Sequence, residues 1–485
     1  MSKSIAKNTF YKFLLSVFNV IIPVLVGPYV NWLLNKDQMT AYSSALTMLN
    51  FFLIFATFGV YNFGIREINR VRDDKQALSR LFTNLFCFSV ITSTVTAAAY
   101  LIYVFTAVDK NQQWIFTAMV IQILANTFMV EWLNEALENY GFITKKTMIV
   151  RVISTLLLFL IVRNPDDGLI YAALMSITVL VNNLASFAYI KRKIPFDFSD
   201  VHLGRYIRPL LIMLIIANIN YLYTQLDRLF IMGNLPSTSL VEYTKPSDIV
   251  NMIILVVQSF LIASVPRLSY YVSHDMKREY MELLDKSSRS YFMLIYPVCI
   301  GLFCLAYEAT YLYASPKWIA AYPVMQVFAL RCIITSVYSV FTNQIMYLHN
   351  QERSMVKILA VGGGLNFLFD GLLTLTGTLS PVTAIASTGV AELIMLGVMY
   401  WFIRKRMHVE FRLFAFKNMK YLYFSLPFLP ICWLVKLLNL GVLWTSVVAV
   451  GVCGAYYGLL LLLTRDEMLR FLLDKVRHRL LKREN

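Results

Sequence analysis

Charged residues are scarce: they make up 15% of the 485-residue chain, against roughly 25% in soluble domains. With 58% hydrophobic residues and a mean hydropathy of +0.61, that scarcity excludes a string of water-soluble domains. Cysteine is sparse as well. Cys87, Cys299, Cys304, Cys332, Cys432 and Cys453 all lie in apolar stretches and none forms a CxxC pair, which excludes a disulfide scaffold and a zinc ribbon. The histidines (His202, His274, His349, His408 and His478) fall in polar connections or the tail, and no HExxH occurs. An intramembrane acyltransferase or protease built on histidine therefore has no candidate. No Walker motif occurs either. Gly362, Gly363 and Gly364 are followed by no P-loop lysine and read as a close-packing helix surface. No enzyme activity, metal or cofactor is expected. Acidic residues number 28 against 44 basic ones, a net charge of +16. The basic excess sits between apolar blocks, so it reads as membrane topology rather than a nucleic-acid surface.

What is present is a succession of long apolar runs. A span needs roughly 20 mostly apolar residues, because the hydrocarbon core is about 30 Å thick. Fourteen such runs occur, at about 13–34, 41–64, 81–107, 113–139, 148–163, 169–190, 209–232, 242–265, 290–313, 322–347, 357–376, 381–403, 420–438 and 442–464. The first follows Lys3, Lys7 and Lys12 and is too long for a signal-peptide core, so it is expected to be a span and not a cleaved leader. Placing both termini and every second loop on one side gathers 36 basic residues there and leaves six opposite, with Arg228 and Arg331 inside spans. This bias orients both termini to the cytoplasm. The fold class is an all-α polytopic membrane protein with 14 transmembrane helices. The external loops are short, which argues against a membrane glycosyltransferase or polymerase. In the tail, Leu469, Leu472, Leu473, Val476 and Leu480 repeat at helical spacing among basic residues. They predict an amphipathic helix on the inner leaflet, or simply complete the positive-inside pattern.

Ionic groups in hydrocarbon are costly and default to a pathway or a paired contact. Span seven carries Asn218, Asn220, Tyr221, Thr224, Gln225, Asp227 and Arg228 over half its circumference. Asp227 and Arg228 diverge by about 100°, so each needs a partner on another helix, in a lumen or in a structural salt bridge. Lys245, Asp248 and Asn251 share one side of span eight, and Arg331, Thr335, Tyr338 and Thr342 one face of span ten. Asp370 and Glu392 are single acids in spans eleven and twelve. Glu131, Asn134 and Glu138 share a face at the cytoplasmic end of span four, where solvation alone accounts for them. Ser43, Thr47, Asn50, Thr57 and Tyr61 form an uncharged stripe in span two, suited to packing or to a lumen. Pro23 and Pro28 make span one a candidate hinge. Mid-membrane charge is thus concentrated in spans seven to twelve, as a hydrated cavity for a large anionic cargo requires. The similar lengths of spans one to six and seven to twelve permit a two-lobed repeat.

Three stretches carry a family resemblance: FGIREINRVRDDKQALSRLF at 63–82, LDRLFIMG at 226–233, and VPRLS at 265–269 followed by Pro297 and Gly301. Over about residues 5–464 the chain resembles the polysaccharide-transporter branch of the MATE/MOP superfamily, flippases for lipid-linked oligosaccharides. The resemblance implies two six-helix lobes around a central cavity, 1–208 and 209–403, two further helices within 404–464, and the basic tail 465–485. It implies alternating access, with the polyprenyl tail in lipid at a gap between spans one and eight. The expected cargo is an undecaprenyl-pyrophosphate-linked glycopolymer unit of teichoic-acid or capsular type, carried across a bacterial plasma membrane by a monomer. Arg228, Lys245 and Arg331 would hold the pyrophosphate, with Gln225, Tyr221 and Tyr338 beside it. Asp227, Asp248, Asp370 and Glu392 would balance those cations or carry a coupling H+ or Na+. Tyr221, Tyr223, Tyr243 and Tyr338 suit a choline-decorated chain through cation–π contacts. A cation-coupled small-molecule exporter of the MATE type is the alternative.

Overall fold

The computed structural model describes residues 2–470, without the side chains of residues 2–10, a few more before residue 21, and 216–224. The described residues are helical, with no strand among them. They divide into two compact units, Met1–Val241 and Glu242–Asn485.

In the first unit the helices are α1 (Ser2–Leu33), α2 (Lys36–Thr57), α3 (Val60–Val71), α4 (Lys75–Ala107), α5 (Gln113–Ala125), α6 (Glu131–Ala136), α7 (Tyr140–Ile161), α8 (Gly168–Lys191) and α9 (Gly204–Asn234). Their starts are chemically marked. The Asn35 side chain accepts the Gln38 N–H at 2.8 Å, and Asp74 accepts from Gln76 and Ala77, so each satisfies amides that open a helix. Two apolar cores result. Phe82, Trp132, Leu133, Ile68 and Leu210 knit α3, α4, α6 and α9 together. Leu49, Tyr100, Phe116 and Met119 do the same for α2, α4 and α5, with Ala172 of α8. Helix α9 packs on α2 and α3, so this unit extends to 241, where the sequence reading draws the lobe boundary at 208/209.

The second unit takes in α10 (Ser237–Ile262), which begins just before its boundary, then α11 (Val265–Ser273), α12 (Lys277–Cys304), α13 (Ala306–Ala314), α14 (Tyr322–Val340), α15 (Glu352–Leu375), α16 (Pro381–Lys405), α17 (Phe416–Ser425), α18 (Phe428–Leu437) and α19 (Val442–Leu463). Helix α12 runs between α14 and α17, and α14 packs on α16, which packs on α15. A reciprocal Ser380–Thr383 capping box starts α16. After α19, Asp466 accepts the Met468 and Leu469 N–H groups and bonds Tyr421 and Lys420. Burial opposes its charge, but Lys420 and those amides outweigh burial and hold the carboxyl below its usual range. The tail from 471 on, where the amphipathic helix is expected, lies outside the described residues.

Ten helical segments among the described residues are long and apolar enough to cross a membrane. The four remaining expected spans fall on α1, whose described apolar part is Ile21–Leu33; on α7, which carries Lys145, Lys146 and Arg151; on α9; and on the split pair α17 and α18. Leu156, Leu160, Leu372, Leu375, Val450 and Leu463 stand exposed on the outer faces, as a lipid-facing surface requires. Helix α1 continues through Pro23 and Pro28, the expected hinge positions.

Candidate functional site

The ionic residues singled out from the sequence divide between the units. In the first, Asp227 is 1% exposed and Arg228 is half-buried, and both have interaction partners. Gln225 is half-buried, two residues before Asp227; its amide oxygen has no hydrogen-bond partner among the described residues. Tyr221, with Asn218, Asn220, Tyr223 and Thr224, lies outside the described side chains.

In the second unit, Arg331 of α14 meets Glu392 of α16 through two parallel bonds, Nε to Oε2 at 2.8 Å and Nη2 to Oε1 at 2.6 Å. The fork geometry matches the carboxylate, and the pair is largely buried, at 17% and 8% exposure. One turn away on α16, Thr388 donates to Asn366 of α15 at 3.0 Å, and Ser387 donates to the fully buried Asp370 at 3.0 Å. Polar contacts thus run from Arg331 of α14 to Glu392 of α16, and from Ser387 and Thr388 of α16 to Asp370 and Asn366 of α15. Lys245 is buried in α10, Asp248 is half-buried one turn on, and both have partners. The neighbouring Tyr243 stacks edge-on against Phe328 of α14, and Gln258 donates to Ser339 at 3.1 Å. Tyr338 is half-buried, two turns along α14 from Arg331.

Two groups were not singled out from the sequence as sites. Lys146, counted with the solvated basic loops, is 5% exposed. Its ammonium reaches both Glu131 oxygens at 3.2 Å and the Ser186 hydroxyl at 2.7 Å, tying α6, α7 and α8 together. Glu131 follows a break in the fourth apolar run, where a 3-10 turn (Asn126–Phe128) separates α5 from α6. The second group is Gln344, in a π-helical turn (Phe341–Met346) after α14. Its amide donates to Ser264 at 2.7 Å and Ser287 at 2.9 Å, its side-chain oxygen accepts from Ser288 at 3.1 Å, and its carbonyl accepts from Tyr280 at 2.9 Å. A lone glutamine in an apolar run gives no sequence signal for such a hub. No cluster suited to a metal ion occurs among the described residues.

The sequence pattern of the family described as "Polysaccharide biosynthesis protein" matches residues 5–272, more than half of the chain. The chain belongs to that family. Among solved structures, the chain is similar to the lipid II flippase MurJ in an inward closed conformation. The TM-score is 0.73 at 12% identity, covering 95% of this chain and 99% of that one. It is also similar to an inward-facing multidrug resistance MATE family transporter of the MOP superfamily, with TM-score 0.57, 13% identity, and 83% and 96% of the two chains covered. A third likeness is to a MATE protein in complex with MaL6, with TM-score 0.52, 13% identity, and 84% and 96% covered. A search of curated protein sequences finds no match. The protein thus has the MOP-superfamily fold and is a multi-pass membrane protein. Its solved relatives are a flippase and transporters, not enzymes.

Proposed function

We propose that this protein is a flippase. Its cargo is an undecaprenyl-pyrophosphate-linked glycopolymer unit, of teichoic-acid or capsular type. It moves the unit from the inner to the outer leaflet of a bacterial plasma membrane by alternating access. The observation that carries this reading is the fold likeness to a lipid II flippase over 95% of the chain, within a family named for polysaccharide biosynthesis. The chemistry supports it. A head group cannot cross unaided, since each unsatisfied polar group in hydrocarbon costs several kcal/mol. Arg331 is preorganised as a planar fork, and its partner Glu392 balances its charge. An arriving pyrophosphate competes with that carboxylate for the guanidinium. Arg228 and Lys245 supply the further cations of the same reading. Asp227, Asp248, Asp370 and Glu392 are the candidates to take up a coupling H+ or Na+ as cations change partners.

Transport of defined lipid-linked donors in proteoliposomes tests the proposal. Wild-type protein moves at least one such donor, and Arg228→Ala or Arg331→Ala reduces the rate about tenfold or more, the loss of roughly one charge-assisted contact. No movement of any polyprenyl-linked donor overturns it. The fold likeness to MATE transporters favours the second reading, a cation-coupled small-molecule exporter, which predicts resistance to cationic dyes on overexpression.

A further inference from the structure

The charged motif at residues 63–82 takes no part in the flipping reading, yet the structure gathers its ionic groups at one place. Arg66, Glu67 and Arg70 of α3, Arg80 of α4, Asp200 and Arg205 line a cleft of about 500 Å³ within the first unit. Four guanidinium groups there face two carboxylates. Glu67 is shared, at 3.2 Å from Arg66 and 3.1 Å from Arg70. Arg205 is exposed and pairs with no carboxylate among the described residues. Arg80 is already held by Asp197 at 3.2 Å. The Ser199 hydroxyl and N–H, and then Arg80 itself, keep the Asp197 carboxyl below its usual range, so that pair stays ionised and fixed. Arg66, Arg70 and Arg205 are left to turn toward a ligand. Arg66 and Arg70 can do so because their side chains are 46% and 68% exposed. In the connection between α8 and α9, and at the start of α9, Phe198, Val201 and Ile207 present bare apolar side chains, as a surface against lipid does.

We propose that this cleft binds the phosphate of a membrane-lipid headgroup. Guanidinium pairs match phosphate oxygens in geometry and charge, and they do so better than the single carboxylate that Arg66 and Arg70 now divide. The cleft is lined by α3, α4, the start of α9 and the connection before it, basic segments that the sequence reading places on the cytoplasmic side, where lipid headgroups are met. A solvated basic loop that only set topology would gain nothing from the shared Glu67 or from the enclosure. The site does not rest on the flippase reading, because lipid retention is scored without transport.

The test uses full-length protein in phosphatidylcholine nanodiscs, with bound lipid counted by native mass spectrometry after release. One arm adds a minor fraction of phosphatidylglycerol, the other undecaprenyl pyrophosphate. Arg205→Ala lowers retained anionic lipid about fivefold, the typical worth of one basic residue at a membrane surface. Glu67→Gln, which releases two arginines, raises it, a gain that misfolding does not produce. Sensitivity in the phosphatidylglycerol arm alone assigns the site to a bulk phospholipid; sensitivity in the other arm assigns it to the carrier pyrophosphate. Unchanged retention in Arg205→Ala in both arms, or a loss in Glu67→Gln equal to that of the arginine variant, overturns the proposal.

Discussion

The Arg331–Glu392 pair sets two demands on the same side chains. Buried ions are stable only in company, so removing one partner strands the other in a medium that solvates it poorly. Such a truncation costs about 3–5 kcal/mol, while replacing both partners by apolar groups of similar volume is often neutral. Arg331→Ala is therefore expected to lower the melting temperature of the purified protein, and the double variant Arg331→Met with Glu392→Leu to recover most of that loss. Equal melting temperatures in the single and double variants would show that the two groups are not coupled. The double variant also separates folding from transport. If it melts near wild type and moves no lipid-linked donor, the pair acts on the cargo as well as on the helices. Asp370, fully buried on α15, accepts a hydrogen bond from the neutral Ser387 hydroxyl on the adjoining helix.

At the scale of helices, the junction between α2 and α3 depends on a residue without a side chain. Gly59 has φ +75°, a conformation that costs other residues about 1–3 kcal/mol. A Cβ there would also lie 2.6 Å from the Leu214 nitrogen and 2.8 Å from the Leu210 carbonyl oxygen, both main-chain atoms of α9. Gly59→Ala is expected to melt lower and to yield less folded protein. Gly371→Ala, in α15 with open space around it, should be neutral or stabilise by about 0.5–1 kcal/mol. A Gly59→Ala variant that melts like wild type removes the close approach of α9. Elements of this kind show how far the sequence was legible. Hydropathy marks most of the long helices, because apolar length is what lipid demands. It does not mark the break at 126–130, which contains neither glycine nor proline. There the Asn126 amide donates to the Ala56 carbonyl, and Asn183 donates to Ala125, so tertiary partners replace lost helical bonds. Lys146 escaped notice for a similar reason: its position in a basic stretch suggests solvent, and only the fold brings Glu131 and Ser186 to it. The Arg331–Glu392 pair was half legible, since the need for a partner was evident but its identity was not.

Over the whole molecule, a run of three helices recurs. In the first unit a long helix (α2) is followed by a short one (α3) and a longer one (α4); in the second α10, α11 and α12 repeat that pattern. The short helices carry two of the stretches on which the family resemblance rests, FGIRE and VPRLS. Repeats of this kind are common in transporters and need leave no visible sequence identity, because lipid constrains length and polarity more than residue type. The repeat bears on topology, for each unit must begin on the correct side. The bias of 36 basic residues to six predicts that a green fluorescent reporter fused after Asn485 fluoresces, whereas alkaline phosphatase there is inactive. Phosphatase inserted after Lys110, in the connection between α4 and α5, should be active, and after Asp275, between α11 and α12, inactive. The C-terminal fusion is the discriminating one. Helices α17 and α18 are each 10 residues long and cross the bilayer only if they act in series. If they do, the span count is even and the C-terminus returns to the cytoplasm. If they turn back on the side they started from, the count is odd, the terminal phosphatase is active, and the seven basic residues of the tail would lie on the side that the positive-inside bias disfavours.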